Sequence, residues 1–216
     1  MKNVLIIGAN GQVGKIITTK MKASDDFSPT ALFRKEKQKE FFQEHDVNYR
    51  IVDLEEKIDS LAEAMEGMDA VVFSAGSGGK TGYDKTLTID LDGAVKSMEA
   101  ARKAGVKRFV MISALLADNR DFWAESGIKP YYIAKHYADQ MLKESGLDYT
   151  ILRPGRLFNK AGTGKITITD PAAQEGVPRE DVADTVLEVL RQDNAAGKTI
   201  EFNEGNTPIE EVISKV

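Results

Sequence analysis

The 216-residue sequence contains no cysteine and only two histidines, His45 and His136. Disulfides, thiolate metal sites and cysteine nucleophiles are thereby excluded, and two histidines argue against a zinc centre, so no metal is expected. Long apolar runs are missing as well. The N-terminus enters only four apolar residues, Val4 to Ile7, too few for a signal-peptide core or a membrane-spanning helix, and a cytoplasmic protein with no membrane partner is expected. There is no excess of positive charge either: at a formal net charge of -5, nothing draws the chain as a whole to a nucleic-acid backbone or an anionic lipid surface. The sequence also lacks Pro/Ser-rich linkers, low-complexity runs and internal repeats. With 42% hydrophobic and 29% charged residues it has the composition of an ordinary soluble domain. A single domain over residues 1–216 is expected, monomeric or a small homo-oligomer.

What the sequence does contain is an alternation of short β-branched runs with longer helical segments. Strands are expected at Val4–Ile7, Thr30–Phe33, Tyr49–Val52, Ala70–Ser74, Arg108–Ser113 and Tyr149–Leu152, with weaker signals at Lys165–Thr169 and Thr199–Phe202. Between them, Val13, Ile16, Ile17 and Met21 recur at helical spacing, as do Leu61, Ala64 and Met65, and Leu87, Leu91, Ala94, Val95 and Met98. Each set is read as a core-facing stripe. Gly105 and Gly146 follow basic last turns and terminate two of the helices. The alternation is that of an α/β fold, a doubly wound parallel sheet with helices on both faces. Residues 155–216 are too few for an independent second domain and are expected to form a small C-terminal cap over the cofactor and substrate site.

The first strand ends in Gly8-Ala9-Asn10-Gly11-Gln12-Val13-Gly14 and a helix follows at once. In that context Gly8 lets the chain leave the strand sharply, Gly11 allows backbone to approach a pyrophosphate, and Gly14 lets helix pack closely on strand. The helix N-terminus then offers free N–H groups to the phosphates, with Asn10, Gln12 and Val13 completing the turn. At the end of the second strand, where an NAD site carries an acid to hold the ribose hydroxyls, the sequence reads Leu32-Phe33-Arg34-Lys35. Arg34 lies twenty positions past Gly14, and its planar fork suits a 2′-phosphate, so NADP is favoured over NAD. The alternative is that Arg34, Lys35 and Lys37 are only the solvated start of a helix.

The GxxGxxG spacing resembles that of the short-chain dehydrogenase/reductase superfamily. The resemblance extends through Asp53-Leu54, Ser74-Ala75-Gly76, Ser113, Tyr131 with Lys135 four residues on, and Leu152-Arg153-Pro154-Gly155. In its short length the chain is similar to the atypical NAD(P)-binding members, a group of Rossmann-type proteins that includes NmrA-like regulators and epimerase/dehydratase-like chains. The resemblance implies that Asp53 and Leu54 meet the adenine edge. It further implies that Ser74, Ala75 and Gly76 line the ribose side, that Lys135 and Pro154 contact the cofactor, and that Arg153-Pro154-Gly155 and the later Val177-Pro178-Arg179-Glu180-Asp181-Val182-Ala183 lie near its nicotinamide end. It also implies a Ser113, Tyr131 and Lys135 catalytic set.

Pro130 marks a helix start, so Tyr131 and Lys135 share a helix face, where an ammonium could stabilise a phenolate and lower its pKa. A tuned phenol is an acid/base for carbonyl reduction, and Ser113, at the carboxyl end of a strand, could orient the carbonyl. The expectation is an NADP-dependent oxidoreductase acting on a small carbonyl or quinone-like molecule. The rival is a non-catalytic NADP(H) redox sensor in which Tyr131 and Lys135 are a surface pair. A sugar-nucleotide epimerase is disfavoured by the short C-terminal stretch. Leu115–Lys129, with Phe122 and Trp123, is either a substrate lid or a loop anchored by its aromatics.

Overall fold

The structure, a computed structural model, describes residues 1–79, 81–168 and 176–216. Its centre is a parallel sheet built from β1 (Lys2–Ile7), β2 (Phe27–Phe33), β3 (Asn48–Ile51), β4 (Ala70–Phe73), β5 (Arg108–Ile112) and β6 (Asp148–Pro154) in the order 6-5-4-1-2-3. β1 is apolar on both faces because both are covered. Val4 and Ile6 join one core cluster, and Leu5 and Ile7 join the other. The strand order reverses between β1 and β4, whose ends pair Ile7 with Phe73. There a cleft opens at the carboxyl edge of the sheet.

The helices between the strands are α1 (Gln12–Lys22), α2 (Lys39–Glu44), α3 (Ile58–Met65), α4 (Tyr83–Lys85), α5 (Asp92–Lys103), α6 (Arg120–Glu125) and α7 (Lys129–Glu144). α5 and α7 end with Gly105 and Gly146 in left-handed conformation just beyond their caps. No described helix is long and apolar enough to cross a membrane.

Past β6 come β7 (Arg156–Phe158), β8 (Lys165–Ile168), β9 (Gly176–Pro178), α8 (Arg179–Arg191), β10 (Lys198–Glu204), β11 (Thr207–Pro208) and α9 (Ile209–Ile213). Thr169, the expected end of one strand, lies outside the described residues. Much of this C-terminal stretch continues the main layers. β10 adds to β6 in parallel, β8 and β11 extend the edge antiparallel, and the apolar side of α8 joins the same core cluster as α1. Among the described residues of this stretch, Leu157 and Arg179 reach the cleft, beside the small β7–β9 pair.

One stripe departs from its expected face. Thr86–Leu91 forms a π-helical turn ahead of α5. The wider turn rotates Leu87 out to 52% exposure while Thr86, Ile89 and Asp90 turn inward. Leu87 is therefore not a core residue.

Candidate active site

The cleft has two adjoining lobes. The smaller, about 320 Å³, runs from Gly8 and Gly11 past Arg34, Asp53 and Leu54 to Ser74–Gly76. The larger, about 630 Å³, shares Gly11 and Ser74–Gly76 and continues past Gln12 and Val13 to Ser113, Tyr131 and Lys135. The expected site residues thus fall along one continuous groove, with two exceptions. Gly14 is buried beneath the turn, where a Cβ would lie 2.4 Å from the Gly8 carbonyl, so its role is to let α1 pack on β1. Pro154 lines neither lobe: it ends β6, buried, and its carbonyl accepts from Leu115 N–H at 3.0 Å.

The turn fits a pyrophosphate. Gly8 has a φ of +79°, and a Cβ there would sit 2.6 Å from Ala75 backbone. Gly11 caps α1 with extended backbone and no side-chain cap, and the first turn carries no acid, leaving a positive helix end turned to the cleft. Asn10 lines the smaller lobe beside it. At the far end of that lobe Arg34 is exposed, and its guanidinium has no hydrogen bond or ion pair among the described residues. Glu55 is instead paired with Lys85 at 2.7 Å. Asp53 is not a helix cap, since α3 begins at Ile58; its Oδ1 accepts from Glu55 N–H at 3.1 Å within a turn.

In the larger lobe, α7 carries Tyr131 and Lys135 on one face, with the ammonium 6.0 Å from the phenol ring centre. Lys135 Nζ donates to the Ile112 carbonyl at 2.7 Å. The expected depression of the phenol is not what this geometry produces. Burial pushes the Tyr131 phenol well above its ordinary range, and Asp90, Tyr132 and Asp139 add to the push. Burial also pushes the Lys135 ammonium down, against the pull of Asp90 and Asp139. Desolvation outweighs the Tyr–Lys attraction that the spacing suggested.

Ser113 follows β5 with 5% exposure, its hydroxyl facing the Asp139 carboxyl. Burial pushes the Asp139 carboxyl up, although Arg153, Ser113 and Lys135 all draw it down. Arg153, which the sequence resemblance drew toward the nicotinamide end, is a buried clamp. It reaches Asp118 at 2.6 Å, Asp139 at 2.8 Å and Glu201 at 3.0 Å, tying β6 to α7, β10 and the loop after β5. The segment before α7 is anchored in the same way. Trp123 is 2% exposed, its Nε1 donates to the Leu116 carbonyl at 3.4 Å, and its ring meets His136 edge-on. The anchored alternative therefore describes Leu115–Lys129.

Asp90 escaped the sequence reading. It is 2% exposed, lines the larger lobe, and accepts Ser77 N–H at 3.0 Å. Its other oxygen lies 3.1 Å from where a Cβ on Gly76 would stand. The one available signal was an acid inside an apolar stripe, and only the π-helical turn decides which way that acid faces.

Comparison with known proteins agrees with this geometry. The profile of a family described as NAD(P)H-binding matches residues 8–193. A Bacillus subtilis protein named as an uncharacterized sugar epimerase, YhfK, is 46% identical over 99% of both chains. A Bacillus halodurans structure described as an NAD-dependent epimerase/dehydratase superposes with a TM-score of 0.94 over the full length of both chains at 38% identity. Sanguinarine reductase of Eschscholzia californica is 29% identical over 95% of this chain and 89% of its own. A match that runs from the first glycine of the turn to beyond α8 makes the chain a member of the NAD(P)H-binding family, among Rossmann-fold oxidoreductases and epimerases.

Proposed function

We propose that the protein is an NADP(H)-dependent oxidoreductase acting on a small carbonyl or quinone-like substrate. The observation that carries this is the gathering of Ser113, Tyr131 and Lys135 in a lobe continuous with the glycine turn. When bound, NADP(H) supplies or takes up the hydride. Tyr131 gives its proton to the substrate oxygen in reduction, and Ser113, which lines the same lobe, orients that oxygen. Lys135, one turn along α7, sets its side-chain nitrogen 6.0 Å from the phenol ring centre. The reductase among the relatives supports oxidoreduction. The sugar-epimerase name of the Bacillus subtilis relative suits this chain less well, because among the described residues of 155–216 only Leu157 and Arg179 line the cleft. A non-catalytic NADP(H) sensor is the second reading, and the observation favouring it is that the Lys135 ammonium donates to the Ile112 carbonyl and stands 6.0 Å from the phenol ring centre. Turnover of NADPH against aldehydes, ketones and quinones separates the two.

Arg34 selects the cofactor. A hydrogen bond to a charged group contributes about 1.5–3 kcal/mol, so NADPH should bind roughly ten- to a hundredfold more tightly than NADH. Arg34→Ala should erase most of that difference in calorimetric titrations. Equal affinity of the wild type for both cofactors would show that Arg34 is only a solvated helix start.

Asp90 sets the pH response. As an anion it raises the pKa of Tyr131 and of Lys135. Asp90→Asn removes that repulsion from the phenolate, so Tyr131 should ionise at lower pH. The rate of alcohol oxidation, which needs the phenolate, should rise at lower pH than in wild type, while reduction near neutral pH keeps its protonated donor. An oxidation profile that stays in place or moves upward would rule out this role.

A further inference from the structure

The larger lobe contains a cation that the proposed chemistry does not use. Arg179, the first residue of α8, lines it with Tyr83, Ile128 and Leu157. Its Nη1 donates to Asn159 Oδ1 at 2.8 Å, which fixes the guanidinium without neutralising it. Among the described residues no carboxylate pairs with Arg179, whereas Arg153 and Arg191 each have at least two such partners. The acids that follow it are committed elsewhere: Glu180 accepts Gly162 N–H, and Asp181 accepts Thr163 and Gly164 N–H at 2.8–3.0 Å. Asp90 and Lys135, which also line the lobe, are buried, whereas Arg179 is only half-buried. Around it the lobe offers apolar surface, with Tyr83 58% and Ile128 46% exposed.

We propose that Arg179 is a carboxylate-binding group, and that the substrate of this site is a carbonyl compound with an apolar body and a carboxylate. The proposal rests on the oxidoreductase reading for the carbonyl alone. A planar guanidinium whose partner among the described residues is one neutral side chain retains donors in the geometry that a carboxylate accepts in pairs, and it needs little reorganisation to do so. Tyr83, Ile128 and Leu157 cover the apolar body, and the carbonyl is left to Tyr131 and Ser113.

The test uses two aromatic aldehyde acids, 4-formylbenzoate and 6-formyl-2-naphthoate, each with its methyl ester, titrated calorimetrically into the protein loaded with NADP⁺. Each acid should bind at least about tenfold more tightly than its ester, as expected for a charge-assisted pair. In Arg179→Gln that difference should collapse, and Arg179→Lys should restore part of it. Asn159→Ala, which releases the guanidinium without removing it, should give an intermediate loss. NADP⁺ affinity and the melting temperature should stay as in wild type. Equal binding of acid and ester by the wild type, binding of neither, or an equal loss of NADP⁺ affinity in Arg179→Gln would overturn the proposal; the last would assign the guanidinium to the cofactor's phosphates. The two readings fail separately. Acids that bind through Arg179 without NADPH oxidation would refute hydride transfer and leave the carboxylate site standing, while equal NADPH oxidation with acids and esters would do the reverse.

Discussion

Gly11→Val is expected to weaken NADPH binding by at least about a hundredfold, because only backbone without a Cβ can approach the pyrophosphate at that point. The fold should survive. Gly11 has φ -68° and ψ 165°, a conformation open to any residue, and a Cβ there meets only the Gly8 carbonyl, at 3.2 Å. The other two glycines of the turn behave differently. A side chain on Gly8 or Gly14 would collide with backbone at 2.6 Å or 2.4 Å, so their substitution damages folding before binding can be measured. Gly11 is thus the position at which cofactor approach and stability separate. Calorimetric titration with circular dichroism on the same samples checks this, and native-like affinity in a folded Gly11→Val would remove the turn from the binding site.

Tyr131→Phe should lower turnover by about 10²–10⁴-fold with NADPH affinity nearly preserved, the size expected for loss of one general acid. Because burial and then Asp90 raise the phenol, Tyr131 keeps its proton throughout the neutral and mildly alkaline range. Reduction should therefore show no loss of rate from Tyr131 ionisation between about pH 6 and 9, and the reverse oxidation should speed up as pH rises. Lys135→Met should also slow turnover, but the double variant should be little worse than Tyr131→Phe alone, since both residues act on one proton. Steady-state rates across pH for the three variants test this, and additive losses would assign the two residues to separate steps.

The elements that position the site were legible because local signals encode them. The six parallel strands follow from apolar runs, and the phosphate turn from three glycines between a strand and a helix. Ser113, Tyr131 and Lys135 could be named from a strand end and a helix start. What could not be read depends on packing. The 3.6-residue period placed Leu87 in the core, and a π-helical turn instead exposes it and buries Asp90. Spacing put Lys135 beside Tyr131 but could not show that its ammonium reaches the Ile112 carbonyl, nor that burial would raise the phenol. Arg153 looked like part of the site because it sits in a strand-end motif. Its three carboxylate partners come from distant parts of the chain, and no local pattern announces them. Pro154 was read as a cofactor contact from a shared motif, although it ends a buried strand, while Gly14 packs helix on strand as its place in the turn indicated.

The central claim is that a hydride leaves the nicotinamide for a substrate held at Tyr131. It is tested most directly with NADPH deuterated at C4, in separate preparations labelled on each face. The labelled cofactor is incubated with the protein and a panel of aldehydes and ketones, whose products are read by mass spectrometry; with quinones, whose reduced products lose the label by exchange at oxygen, the isotope effect on NADPH oxidation is read instead. The account predicts deuterium on the reduced product from one of the two labels, at a rate that collapses in Tyr131→Phe. Tight NADPH binding with no label transferred to any aldehyde or ketone and no isotope effect with any quinone, or transfer that is as fast in Tyr131→Phe as in wild type, would contradict it.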